Sequence, residues 1–165
     1  MATTFAFKNR GHGMPYCPPH YAPFRAHIDI PDMIANQPLD SDIPAAGFGV
    51  GDVLQVFEVP VGFLLKHVGT RVTTVEGGAC TACMGNASAT QTHLLALDAD
   101  GYMATTTINL NALTTVTVAV TSAQLGGDIT EGVVFITNGT IDITFETAST
   151  AVAVFDVWAA GWRVF

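Results

Sequence analysis

Val133-Val-Phe-Ile-Thr-Asn-Gly-Thr-Ile-Asp-Ile-Thr-Phe-Glu146 is the stretch that decides the fold class. In its second half, Ile141, Ile143 and Phe145 alternate with Asp142, Thr144 and Glu146. Successive side chains of a strand point to opposite faces, so this is a strand with one apolar and one polar face. Its first half, Val133 to Thr137, is β-branched and aromatic, as strands prefer. Asn138-Gly139 between the halves is the strongest short hairpin signal, so the stretch predicts two paired antiparallel strands.

The same reading extends outward. Thr115 to Thr121 (TVTVAVT) puts Val116, Val118 and Val120 on one face and threonines on the other. Further strands are expected at Asp52 to Val59, Phe63 to Val75, Ala79 to Met84, His93 to Leu97, Ala104 to Leu110 and Ala151 to Phe165, the last with a break at Gly161. Gly77-Gly78, Gly85-Asn86, Asp98-Ala-Asp-Gly101 and Gly126-Gly127-Asp128 punctuate them as turns. Eight to ten short strands at this spacing predict an all-β, antiparallel sandwich of jelly-roll type. Asp32 to Gln37 is the one segment suited to a short turn of helix.

The 165 residues divide near Gly47 to Gly51. Seven of the eight prolines precede residue 45, and each fixes φ and removes a backbone donor. Residues 1–50 therefore read as an extended arm and residues 51–165 as the β-sandwich domain. Phe5, Phe7, Tyr16, Tyr21, Phe24 and Phe48 give the arm surface to bury. Two placements are open: against its own domain, or across a neighbouring subunit.

Composition excludes several classes of function. Charged residues are only 12%, and 14 acids against six bases give a net charge of -8. No Lys or Arg occurs from Val72 to Trp162. Lys and Arg supply most of the affinity for nucleic acid and for anionic lipid, so neither partner is expected. No apolar run reaches the roughly 18 residues of a membrane helix. Met1 to Arg10 does not read as a secretion signal. Three cysteines do not make a disulfide framework, so synthesis in a reducing cytoplasm is expected.

One set of side chains suggests chemistry. Cys17-Pro-Pro-His20 and Cys80-Thr-Ala-Cys83 together supply three thiolates and an imidazole, a ligand set for tetrahedral zinc. Cys17, His20, Cys80 and Cys83 are thus the candidate metal ligands, with His12 in reserve. Convergence of Cys80 and Cys83 requires a turn, because a strand would point them to opposite faces. The other reading is three free thiols packed as small hydrophobes. His27, His67 and His93 stand outside any HxH or HExxH spacing. Asp98 and Asp100 begin like a calcium loop, but Tyr102, Met103 and Asn109 occupy positions that need oxygen ligands or glycine, so an Asp-Gly turn is expected. No nucleophile elbow or phosphate loop is present, no other cofactor motif appears, and the chain reads as non-enzymatic. Asp156 and Arg163 in the last strand are candidates to pair.

A resemblance adds to this. Gly51-Asp-Val-Leu-Gln-Val-Phe-Glu-Val-Pro-Val-Gly62, then the Val- and Thr-rich run from Phe63 to Glu76-Gly77, resembles a pattern in small structural proteins of tailed bacteriophages. Thr140 to Phe145 and Ala153 to Trp158 are similar to late strands of the same proteins. The resemblance covers about Gly51 to Phe165 and departs at Cys80 to Ala87. It implies a head decoration, or cement, protein. Such a protein would have a jelly-roll-like domain, form homotrimers and bind the major capsid protein on the outside of the virion. A phage tail or fibre binding module and a small β-sandwich metal-binding protein are the alternatives.

Overall fold

The computed structural model describes residues 4–6, 22–36, 43–86, 98–120, 132–148 and 150–163. In chain order the strands are β1 (Thr4–Ala6), β2 (Ala22–Asp29), β3 (Val53–Val59), β4 (Phe63–Thr74), β5 (Thr81–Asn86), β6 (Asp98–Asn109), β7 (Thr115–Ala119), β8 (Val133–Val134), β9 (Gly139–Phe145) and β10 (Val154–Arg163). One short helix, α1 (Ile30–Asn36), follows β2.

The pairing identifies the architecture. One sheet runs β3-β9-β5-β6 and the other β2-β10-β4-β7, with β1 beside β3 and β8 beside β4. Setting aside the two short strands β1 and β8, eight remain. The first pairs with the last, the second with the seventh, the third with the sixth and the fourth with the fifth, all antiparallel. This is one long hairpin rolled into two packed sheets, the jelly roll that the alternation predicts.

The inner faces form the core. Phe24 of β2 meets Phe57 of β3 and Phe63 of β4, at centroid separations of 5.6 and 5.2 Å. Phe48 stacks on Phe145 at 4.7 Å. Ile28, Leu54, Leu65, Ile143 and Phe155 are completely buried. In β10 the buried Phe155, Val157 and Ala159 alternate with half-exposed residues, so only one face of it is buried, although its sequence is apolar on both.

Several expectations are revised. Residues 22–36, assigned from sequence to the extended arm, belong to the sandwich. Strand β2 pairs with β10 along its whole length, and Phe24, Ile28, Ile30 and Met33 are buried. Pro23 is tolerated because β2 is an edge strand. Pro31 is tolerated in the first turn of α1, where no helical donor is required. The Asp29 carboxylate accepts the Asp32 backbone N–H at 3.0 Å and caps that helix. Residues 7–21 and 37–42 of the arm lie outside the described residues. Thr4–Ala6 pairs in parallel with the chain's own β3.

The Asn138-Gly139 hairpin does not form. β8 pairs with Leu64 and Leu65 of β4, while β9 pairs with β3 and β5 in the other sheet. The Asn138 side chain instead accepts the Val61 N–H at 3.0 Å, fastening the β3–β4 turn. Asp98 to Gly101 is also strand rather than turn. β6 accommodates its extra residues in register shifts against β5. His93 to Leu97 lies outside the described residues.

Candidate functional site

Cys83 falls on β5 and Cys80 immediately precedes it, and the extended backbone separates the thiols. Cys80, Ala82 and Met84 belong to the hydrophobic core, whereas Cys83 is buried outside that cluster, on the opposite face of β5. Cys80 Sγ hydrogen-bonds Thr150 Oγ1. Cys83 Sγ lies 3.2 Å from the Ala99 carbonyl and 3.0 Å from Glu146 Oε1, donating to these oxygens.

Burial raises the Cys80 thiol above its ordinary value, and the charge of Glu76 adds to this against the Thr150 hydrogen bond. Burial likewise pushes Cys83 far up, with Glu146 and Asp100 adding to it. Thiolate is the form that binds metal or attacks a substrate, so both environments favour the inert protonated form. Cys17, His20 and His12 lie outside the described residues. Among the described residues, no three His, Cys, Asp or Glu side chains converge on a point that could hold a metal ion.

Other singled-out residues serve the scaffold or the surface. His27 Nδ1 lies 2.7 Å from Asp156 Oδ1 across β2 and β10, so Asp156 pairs with His27; the Arg163 side chain lies outside the described residues. Both side chains are substantially exposed, and such pairs contribute little to stability. Trp158 lies over Gly69 of β4, where an added Cβ would come within 2.1 Å of the indole. Lys66 Nζ sits 5.9 Å from the Trp162 ring centroid.

Glu76 is a residue the sequence does not single out. It follows the end of β4, and its two carboxylate oxygens accept the N–H groups of Ala151, Val152 and Ala153 at 2.9, 2.9 and 2.8 Å. Three consecutive amides on one carboxylate lock the approach to β10. Beside them, Phe48 and Thr150 exchange backbone hydrogen bonds. Gly47, at φ +79°, passes so close to the Thr150 carbonyl that no side chain fits.

The outer face of the β2-β10-β4-β7 sheet is the best-defined exposed surface. Arg25, Trp158, Gly69 and Thr117 form one cross-strand row, and His27, Asp156, Arg71 and Thr115 form the next. Arg25, His27, Arg71, Thr115 and Thr117 are exposed. A surface of small side chains with Trp158, two arginines and the His27–Asp156 pair has the composition of a protein interface, where Trp and Arg are enriched.

No protein-family model matches the chain. No curated protein matches it either. Solved structures do. A chain in the capsid of Ralstonia phage GP4 aligns over 97% of this chain and 98% of its own length, with a TM-score of 0.56 and 13% identity. A chain in the Cyanophage Pam1 capsid asymmetric unit aligns over 92% and 94%, with a TM-score of 0.54 and 13% identity. At such identity the likeness is one of fold, and it takes in nearly the whole of each chain.

Proposed function

We propose that this chain is a structural, non-enzymatic phage virion protein that decorates the capsid. In this reading it binds the outer surface of the major capsid protein shell as a homotrimer and cements it. One observation carries the reading: the fold is shared, nearly end to end, with chains of two phage capsids. The alignments take in nearly the whole of each chain, so those chains are close to this one in length.

The physical character of the domain supports the same role. A double-sheet jelly roll is a stiff scaffold. The Cys80 and Cys83 thiols are buried, and burial favours their protonated form. Threefold clustering would multiply a weak contact per subunit through effective concentration.

The test is rebinding. Purified protein is mixed with capsids stripped of it, and the bound fraction is read by sedimentation of the particles. Saturable binding, with capsids surviving heat or low salt better once coated, is the expected result. Failure to bind, together with absence from purified virions, would overturn the reading.

A further inference from the structure

A sheet edge presents unpaired backbone groups, and proteins blunt such edges with proline, charge, bulges or very short strands. Among the described strands, β1 is three residues long, and β2 carries Pro23 with exposed Arg25 and His27. β6 carries Asp98 and Asp100 and is irregular against β5. β7, Thr115-Val-Thr-Val-Ala119, has none of these devices. It lies within the run from Tyr102 to Gly127, which contains no Asp, Glu, Lys or Arg. β4 flanks it on one side and no described strand flanks it on the other. The Val120 N–H donates to the Lys66 carbonyl at 2.8 Å, and the Val72 N–H donates to the Thr114 carbonyl at 2.9 Å. Bonded residues alternate along an antiparallel pair, so Val116 and Val118 also bond β4, while the N–H and C=O groups of Thr115, Thr117 and Ala119 point outward. Those three residues are exposed, and Val116 and Val118, which pack on the core, are only half-buried.

We infer that β7 pairs edge to edge with β7 of a second copy, antiparallel, about a two-fold axis at Thr117. Three observations select this occupant. The outward-bonding residues are symmetric about Thr117, so Thr117 meets its own counterpart and Thr115 meets Ala119 in both directions, and about six hydrogen bonds satisfy every outward group. In that register Val116 falls opposite the partner's Val118, and two half-open valines close on each other. Two copies at -8 repel, so contact is least opposed along the chargeless run in which β7 lies. A two-fold contact uses the same patch on both copies, so it is distinct from threefold clustering and would link one trimer to the next. The inference goes beyond the proposed function and does not rest on it.

Sedimentation of the full chain over a range of protein concentration tests this. Thr117 faces its own counterpart, so a charge of either sign placed there meets its like. Thr117→Glu and Thr117→Lys, each alone, should associate about tenfold or more weakly than the wild type. Mixed in equal amounts, they should regain association, because each charge then meets its opposite. Thr117 is exposed, so both variants should keep the urea midpoint of the wild type. Wild-type protein that stays monomeric at every concentration would overturn the inference without recourse to a variant. So would variants that associate as the wild type does, or a mixture that does not regain what each variant lost. Capsid binding is scored separately on the same proteins. Loss of capsid binding in both variants, unrestored by mixing, would put a strand of the shell on this edge and overturn the pairing of two copies. Wild-type protein that pairs through Thr117 but never binds capsids would refute the decoration role and uphold the inference.

Discussion

Replacing Glu76 by alanine removes the acceptor for three consecutive N–H groups at 2.8–2.9 Å. A hydrogen bond to a charged group contributes about 1.5–3 kcal/mol, and an orphaned buried donor costs about 1–3 kcal/mol. The three amides are not equivalent. Val152 is 48% exposed, and water would replace its partner at little cost. Ala153 is fully buried and Ala151 half-buried, so these two carry most of the loss. The expected destabilisation is about 3–4 kcal/mol, a large part of the 5–15 kcal/mol available to a domain. Glu76→Gln retains one carbonyl oxygen and turns an NH2 toward the remaining donors, so about half that loss is expected. Urea unfolding measures both, with the slope m unchanged if the transition remains two-state. A shift below about 0.5 kcal/mol for Glu76→Ala, the range of ordinary surface substitutions, would refute the account of Glu76 as the anchor of β10.

Other outcomes are expected from the same physics. Gly69→Ala should displace the Trp158 indole, costing about 1–3 kcal/mol as overpacking does, with a red shift of tryptophan emission as its signature. Gly161→Ala meets the Leu64 backbone oxygen at 1.9 Å rather than a movable side chain, so it should be more damaging than Gly69→Ala in the same urea assay. The folded state holds the Cys80 and Cys83 protons more tightly than the unfolded chain does. Stability should therefore be intact below the ordinary thiol value near pH 9 and fall as pH rises above it, and Cys83→Ala should flatten that fall. Deleting residues 1–36 removes β1, β2 and α1, takes Phe24, Ile28, Ile30 and Met33 out of the core and leaves β10 without one of its two neighbours. Circular dichroism should show loss of cooperative folding, whereas deleting residues 1–7, which removes only β1, should leave the sandwich intact.

What could be read from the sequence follows the reach of each signal. Alternation in Thr115–Ala119 reflects one face packed on the core and located that strand; alternation in Ile141–Phe145 also located its strand, although Asp142 and Thr144 on its polar face are buried too. The break expected at Gly161 corresponds to the register shift between β10 and β4, where that glycine passes the Leu64 carbonyl. Asn138-Gly139 misled because turn chemistry is local, whereas β8 is held by Leu64 and Leu65, some seventy residues earlier. The prolines misled in β2 because they forbid central strands but not edges. Glu76 was invisible: a carboxylate before Gly77-Gly78 looks like any turn residue until the fold brings the 151–153 amides to it. The separation of Cys80 and Cys83 was legible as a condition, since a strand at that place points them apart.

The first-with-last order of pairing has a consequence for how the molecule is made. Strand β10 is a central strand flanked by β2 and β4, yet it is translated after both. While it is still in the ribosome, β2 and β4 have no shared neighbour. Folding must then await release of the β10 segment, and sheets so dominated by distant pairings form slowly. A product terminated before β10 would be left as an exposed, protease-sensitive chain.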